Sequence, residues 1–296
     1  MTDSKALAGL GELTRPATVL IERIADALGG YFKPYQIRRV AGAEADAERI
    51  RALAQIEISD LQRRALQRFV AEESRKQDNI EAITSKALPQ LDAEAQADKL
   101  EDDWIANFFD KCRLISDDDM QTLWARVLAG EANSPGRYTK RTVNFLGSVD
   151  KEDARLFAGL CGFGCFLGNV IPVIDDLEAE VYRAQGLSFG SLKHLDDIGL
   201  IGFDPLAGFQ RIRLPKRARL FYYGTAVDLE FASDKDNSLA LGHVLLTRIG
   251  QELAPICGSK EVPGFLDYLL GKWMALGIIS STPYPRVGLT TAQSTA

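Results

Sequence analysis

The sequence predicts a mainly α chain: a long N-terminal helical, coiled-coil-like segment, a central helical bundle, and a C-terminal α+β region of winged-helix type. Three observations carry that expectation. From Tyr35 to Leu88 there is no proline and a single glycine, Gly42, among Ala, Glu, Arg, Gln and Leu, all strong helix formers. Apolar residues then recur at three-to-four spacing between Trp104 and Leu128. Beyond Gly199, β-branched and aromatic residues gather in short runs broken by Gly and Pro.

A chain of 296 residues, 46% hydrophobic and 26% charged, can bury a core and has room for two or three compact units. Four units are expected: 1–95, an amphipathic helix plus the long charged segment; 96–155, a compact helical region; 156–281, the α+β region; and 282–296, a disordered tail. The net charge of -6 opposes nucleic-acid binding by the whole surface, because phosphate needs concentrated positive charge. Cys112, Cys161, Cys165 and Cys257 are too few and too scattered to staple such a chain, so reduced thiols and a cytoplasmic location are expected. The first residues lack a basic stretch followed by an apolar run, so no secretory signal is expected.

The first element spans about Ala17 to Phe32, with Leu20, Ile24, Leu28 and Phe32 on one face, ended by Gly29-Gly30 and Pro34. Such a helix can lie on a membrane surface or dock on its own domain. In the long segment, Ile50, Leu53, Leu61, Ala65 and Phe69 form an apolar seam without a strict heptad. Asp60 with Arg64, and Glu72 with Lys76, stand four residues apart with the acid first, the favourable orientation. This surface, residues 36–88, suits self-association or a protein partner. It equally suits packing within its own monomer.

Further along, Trp104, Ile105, Phe108, Phe109 and Cys112 define a buried helix face. Ser116 is the expected N-cap of the next helix, which explains the acidic run 117–119 without a metal. Residues 133–136 form a turn, and Asp150 with Asp153 caps another helix. Residues 156–174 carry no charge, and their mean hydropathy of roughly two units reaches the transmembrane range. Four glycines, Asn169 and Pro172 favour a buried core helix ending before Pro172 instead; membrane insertion is the alternative.

No phosphate loop, dinucleotide fingerprint, zincin motif or nucleophile elbow is present, and His194 and His243 lack a catalytic context. No catalytic, cofactor-binding or metal-binding residues are assigned, and no cofactor is expected. The one non-core constellation is Arg211, Arg213, Lys216, Arg217 and Arg219. On a β-ribbon the first two would share a face, as would the last two, and could grip a phosphate backbone. A charged edge that resists aggregation is the plainer reading.

Several stretches, YQIRRVAGAEADAERI, LQRRALQRFVAEESRKQDNIEAI, the run from WIANFFDKC to DKEDARLF, and LKHLDDIGLI, together resemble a bacterial domain-of-unknown-function family. That family is distantly similar to the abortive-infection alpha proteins, which carry a comparable LWA..LA helix followed by a helix ending near A.LF. The resemblance covers about Tyr35 to Ile279. Its CGFGCFLG stretch departs toward small residues, and no catalytic residues carry over. It implies a non-enzymatic role in defence against bacteriophage, through assembly, a phage component as partner, or contact with a membrane at 17–32 or 156–174. The competing expectations are a winged-helix nucleic-acid-binding regulator and a helical scaffold for another protein.

Overall fold

The computed structural model describes residues 13–28 and 60–282. The chain divides between residues 149 and 150 into two compact units. The rest of the 36–88 segment, Phe32 and the tail from residue 283 lie outside the described residues.

In the first unit, α1 (Arg15–Ala27) starts with Pro16 in its first turn, where a missing N–H costs nothing. It buries Ala17, Leu20 and Ile24 against α3 (Asp102–Cys112) and the short 3-10 turn before it. Arg23 fixes the seat, donating to the Leu100 carbonyl and pairing with Asp102 at 2.7 Å. Helix α2 (Asp60–Ala87) buries Asn79, Ile83, Thr84 and Ala87, all toward its C-terminal end, against α4 (Asp118–Asn133).

The predicted face of α3 is buried, and Phe108 meets Trp124 of α4 edge-on at 5.2 Å. The cap of α4 differs from expectation. Asp117, not Ser116, accepts from the Asp119 and Met120 amides at 3.1 Å, while Ser116 donates to Asn79. A carboxylate at the helix N-terminus adds charge to the cap, which a hydroxyl cannot. Buried Glu131 receives the Gly136 and Tyr138 amides at 2.6 and 2.7 Å and so holds the 133–136 turn ahead of α5 (Lys140–Leu146).

The second unit opens with α6 (Lys151–Cys161), capped by Asp150 and Asp153 as expected. The core helix expected from 156 to just before Pro172 is not formed as one element. Helix α6 stops at Cys161, and the chain turns into the hairpin β1 (Gly164–Phe166) and β2 (Val170–Pro172). Close packing explains the glycines: a Cβ on Gly162 would lie 2.9 Å from the Lys260 carbonyl, and one on Gly164 2.9 Å from the Cys161 carbonyl. Among the described residues no helix is long and apolar enough to cross a membrane.

After α7 (Glu180–Arg183) and α8 (Phe189–Asp197), one antiparallel ladder runs out from Ile201 to Tyr222 and back from Thr225 to Leu246. It pairs β3 (Ile201–Phe203) with β8 (Val244–Leu246), β4 (Phe209–Leu214) with β7 (Asn237–Gly242), and β5 (Arg217–Tyr222) with β6 (Thr225–Glu230). The tip pair joins a five-stranded sheet of order β2-β1-β5-β6-β9, where β9 is Ile279–Ser281. Helices α9 (Arg248–Leu253) and α10 (Phe265–Ala275) complete the unit. Its core centres on Phe163, Tyr182, Tyr222 and Phe265, with Phe163 4.9 Å from both Tyr182 and Phe265.

The expected mainly α class is thereby corrected. About 51% of the described residues are helical and about 16% lie in three small antiparallel sheets, an α+β fold. Among the described residues no long coiled coil is formed, and β4 does not pair with β5 as a 211–219 ribbon would require: β4 pairs with β7, and β5 with β6 and β1. Strands of three to six residues hold too few side chains for an alternating pattern to stand out in sequence.

Candidate interaction surfaces

The five basic residues singled out in the sequence lie on the long ladder but do not form one patch. Arg217 faces Glu230 across the strand pair at 3.4 Å, and Arg219 grips Asp228 with two hydrogen bonds of 2.6 and 2.9 Å. That fork from Arg219 holds the Asp228 carboxyl below its ordinary range. Lys216 pairs with Asp234 at 3.0 Å. Arg211 and Arg213 have no ion-pair partner among the described residues, and Ile212 between them is 54% exposed. They do not share a face by simple alternation, because the register shifts between Arg211 and Leu214 and Arg213 takes a φ of 60°. Three of the five charges are thus paired with acids, two across the β5–β6 pair and Lys216 with Asp234 in the loop after β6.

The four residues named for membrane contact fare differently. Leu20 and Ile24 are fully buried in the first unit, Leu28 is half-buried, and Phe32 lies outside the described residues. Docking on the protein has taken the apolar face of α1.

The surface that stands out lies on α2. Its last three turns pack on α4, whereas its first half meets solvent: Leu61, Phe69 and Val70 are 69%, 56% and 46% exposed. Leu61, Ala65 and Phe69 recur every four residues and form one stripe, while Leu66 and Val70 lie further round the helix. Charges flank it in two blocks. Arg63, Arg64 and Arg68 lie toward the N-terminal end, Glu72 and Glu73 beyond. Pairs form along the helix between Asp60 and Arg63, Arg68 and Glu72, and Glu73 and Lys76. These are exposed contacts of little stabilising weight.

Two polar clusters lie in the second unit. Asp175, just after β2, accepts from the Tyr182 and Tyr268 hydroxyls at 3.1 and 2.9 Å and from Lys272 at 2.7 Å. Burial pushes its carboxyl up, but Lys272 and the two tyrosines outweigh that and hold it below its usual range. The other cluster joins α8 to α6, where His194 Nε2 meets Asp153 Oδ1 at 2.6 Å. A histidine oriented by a carboxylate supplies two of the three members of a catalytic triad; here the carboxylate also accepts from the Asp150 amide. Among the described residues no group of three or more His, Cys, Asp or Glu is placed to hold a metal ion. Sequence reading missed the Asp175 cluster because its members lie up to 97 residues apart.

Comparison with known proteins adds a family and no activity. No curated protein and no solved structure matches the chain significantly. The family described as a protein of unknown function, DUF2806, matches residues 63–270, from the exposed half of α2 into α10. Because that match takes in most of the chain, the protein belongs to the DUF2806 family.

Proposed function

We propose that this protein is a non-enzymatic assembly protein of bacterial phage defence, and that copies join through the exposed half of α2. The observation that carries the assembly reading is the stripe of Leu61, Ala65 and Phe69, of which Leu61 and Phe69 are more than half exposed, with exposed Val70 further round the helix. Contiguous exposed apolar surface on a helix marks an interaction site. Charge order supports a second copy as the occupant. Laid antiparallel about Phe69, two α2 helices bring the basic block 63–68 of one against Glu72 and Glu73 of the other, twice over. The defence context rests only on the distant similarity to the abortive-infection alpha proteins expected of the family that several segments resemble; the family match itself carries no defence role. Peripheral membrane contact through α1 would require Leu20 and Ile24 to leave their buried seat, so it has no part in this reading.

Sedimentation velocity on the wild type and on a Leu61→Asp, Phe69→Asp double variant tests the assembly. The wild type is expected to dimerise with rising concentration, and the variant to stay monomeric with unchanged helicity and Tm. A wild type that is monomeric at high micromolar concentration sinks the assembly reading. Plaquing on cells carrying the gene tests the context: restriction that the variant loses is expected, and unchanged plaquing by the wild type across a broad phage panel sinks defence.

One observation favours a second reading, nucleic-acid contact at Arg211 and Arg213, which have no ion-pair partner among the described residues. Two phosphate contacts would give a salt slope of about -2 on a log–log plot. Fluorescence anisotropy with a short duplex at low salt, wild type against Arg211→Ala with Arg213→Ala, decides it; no wild-type binding ends it.

A further inference from the structure

A cavity of about 340 Å³ opens in the first unit between α2 and the turn that joins α3 to α4. Its volume lies in the range of small-ligand pockets and exceeds what a bare ion fills. Glu72, Arg75, Lys76 and Asn79 line it from α2, Arg113 and Ser116 from the turn. The cavity begins where one face of α2 changes use. Phe69 is left in solvent, Glu72 and Lys76 follow along that face, and Asn79 and Ile83 beyond them are buried.

Its floor is built in advance of any ligand. The buried Asn79 amide donates to the Arg113 carbonyl at 2.9 Å, and the Asn79 side-chain oxygen receives the Ser116 hydroxyl and the Gln121 amide at 3.3 Å each. Gln121, from α4, donates as well to the Ile115 carbonyl at 2.9 Å. Side chains from two helices thus fix the turn, and with it the place from which Arg113 reaches the cavity.

Three cations line the cavity against one carboxylate, and that carboxylate, Glu72, pairs back along the helix with Arg68 at 3.5 Å. Arg75 has neither a hydrogen bond nor an ion pair among the described residues. Lys76 meets Glu73 at 2.6 Å and Arg113 meets Asp110 at 2.8 Å, each three residues back along its own chain segment. Exposed local pairs of this kind carry little weight, so an incoming anion can share or displace them. The Arg113 side chain is 42% exposed, yet its Nε is buried and finds no acceptor among the described residues. A buried donor left without a partner is uncommon and costly, and an anion in the cavity would supply the acceptor.

We propose that the cavity binds a small phosphate monoester, its phosphate held by Arg75, Arg113 and Lys76. Charge selects the phosphate, because a monoester carries about -1.5 to -2 near neutral pH, where a carboxylate carries about -1. Geometry agrees: a guanidinium fork takes two phosphate oxygens at once, and a lysine adds a point charge. Leu114 is the one apolar residue in the lining and is exposed, so the rest of the ligand is polar. A confined site on an acidic chain suits a small ester rather than a nucleic-acid backbone.

Calorimetric titration of the full chain at low salt tests the site. The probes are glycerol phosphate and adenosine monophosphate, with glycerol, adenosine and inorganic phosphate for comparison. An ester is expected to bind at one per chain, roughly tenfold or more tighter than inorganic phosphate, while glycerol and adenosine give no heat. Arg75→Gln removes a side chain without a hydrogen bond in the fold, so it should keep the Tm and weaken ester binding about tenfold. Arg113→Lys keeps the charge but lacks the Nε donor and should weaken binding by a similar factor. No binding of either ester at millimolar concentration, inorganic phosphate bound as tightly as the esters, or full binding by Arg75→Gln would each overturn the site. These variants leave Leu61, Ala65 and Phe69 in place, so the outcome is separate from that of assembly through α2.

Discussion

Asp175 accepts hydrogen bonds from side chains 7, 93 and 97 residues away, so its carboxylate ties the strand end after β2 to α10. Replacing it by Asn keeps the size but removes the charge that Lys272 and the tyrosines address. At neutral pH the Asp175→Asn variant should lose about 2 kcal/mol of stability, the scale of hydrogen bonds to a charged group. Lys272 is 40% exposed, so solvent screens part of its share. The pH dependence has a definite sign. Because the folded carboxyl is held low, its contribution is present above about pH 3.9, the unfolded value, and fades as pH falls through the folded value. Denaturation of both proteins at pH 7 and near pH 3 should show the gap closing on acidification; a gap that widens would refute the assignment.

At the scale of elements, the ladder from Ile201 to Leu246 depends on one close approach. Gly242, at a φ of 88°, lies against Ile174, and a Cβ there would stand 1.9 Å from the Ile174 carbonyl oxygen. Gly242→Ala must therefore displace the backbone as well as accept a left-handed conformation. We expect a loss of about 3 kcal/mol or more, read as a drop in the denaturation midpoint. A change within half a kcal/mol would mean the ladder re-registers at no cost. Helix legibility followed period and caps. The α3 face and the Asp150–Asp153 cap could be read directly, because a helix shows its buried face every three to four residues. The 156–174 stretch was misread because an apolar run looks the same as a buried helix or as a helix leading into a hairpin. Its glycines were the signal, since they mark where backbone meets backbone.

For the whole molecule, residues adjacent in the chain part company in space, and the basic run does not form one patch. Lys216, Arg217 and Arg219 were legible as charges, but their acidic partners come from the returning strand β6 (Glu230, Asp228) and the loop after it (Asp234). The α2 stripe was legible in part: Leu61, Ala65 and Phe69 are in the sequence, and the structure adds that they are left uncovered while Ile83 and Ala87 are not. By itself the sequence determined the helix faces, the turn at 133–136, the strand-forming character of 209–231 and the family signature, all set by neighbours within a few residues. Only the tertiary structure decided which strands pair, which charges are neutralised, and that Asp175 meets Lys272. Those outcomes rest on contacts across tens of residues, whose geometry depends on loop closure and packing rather than on local preference.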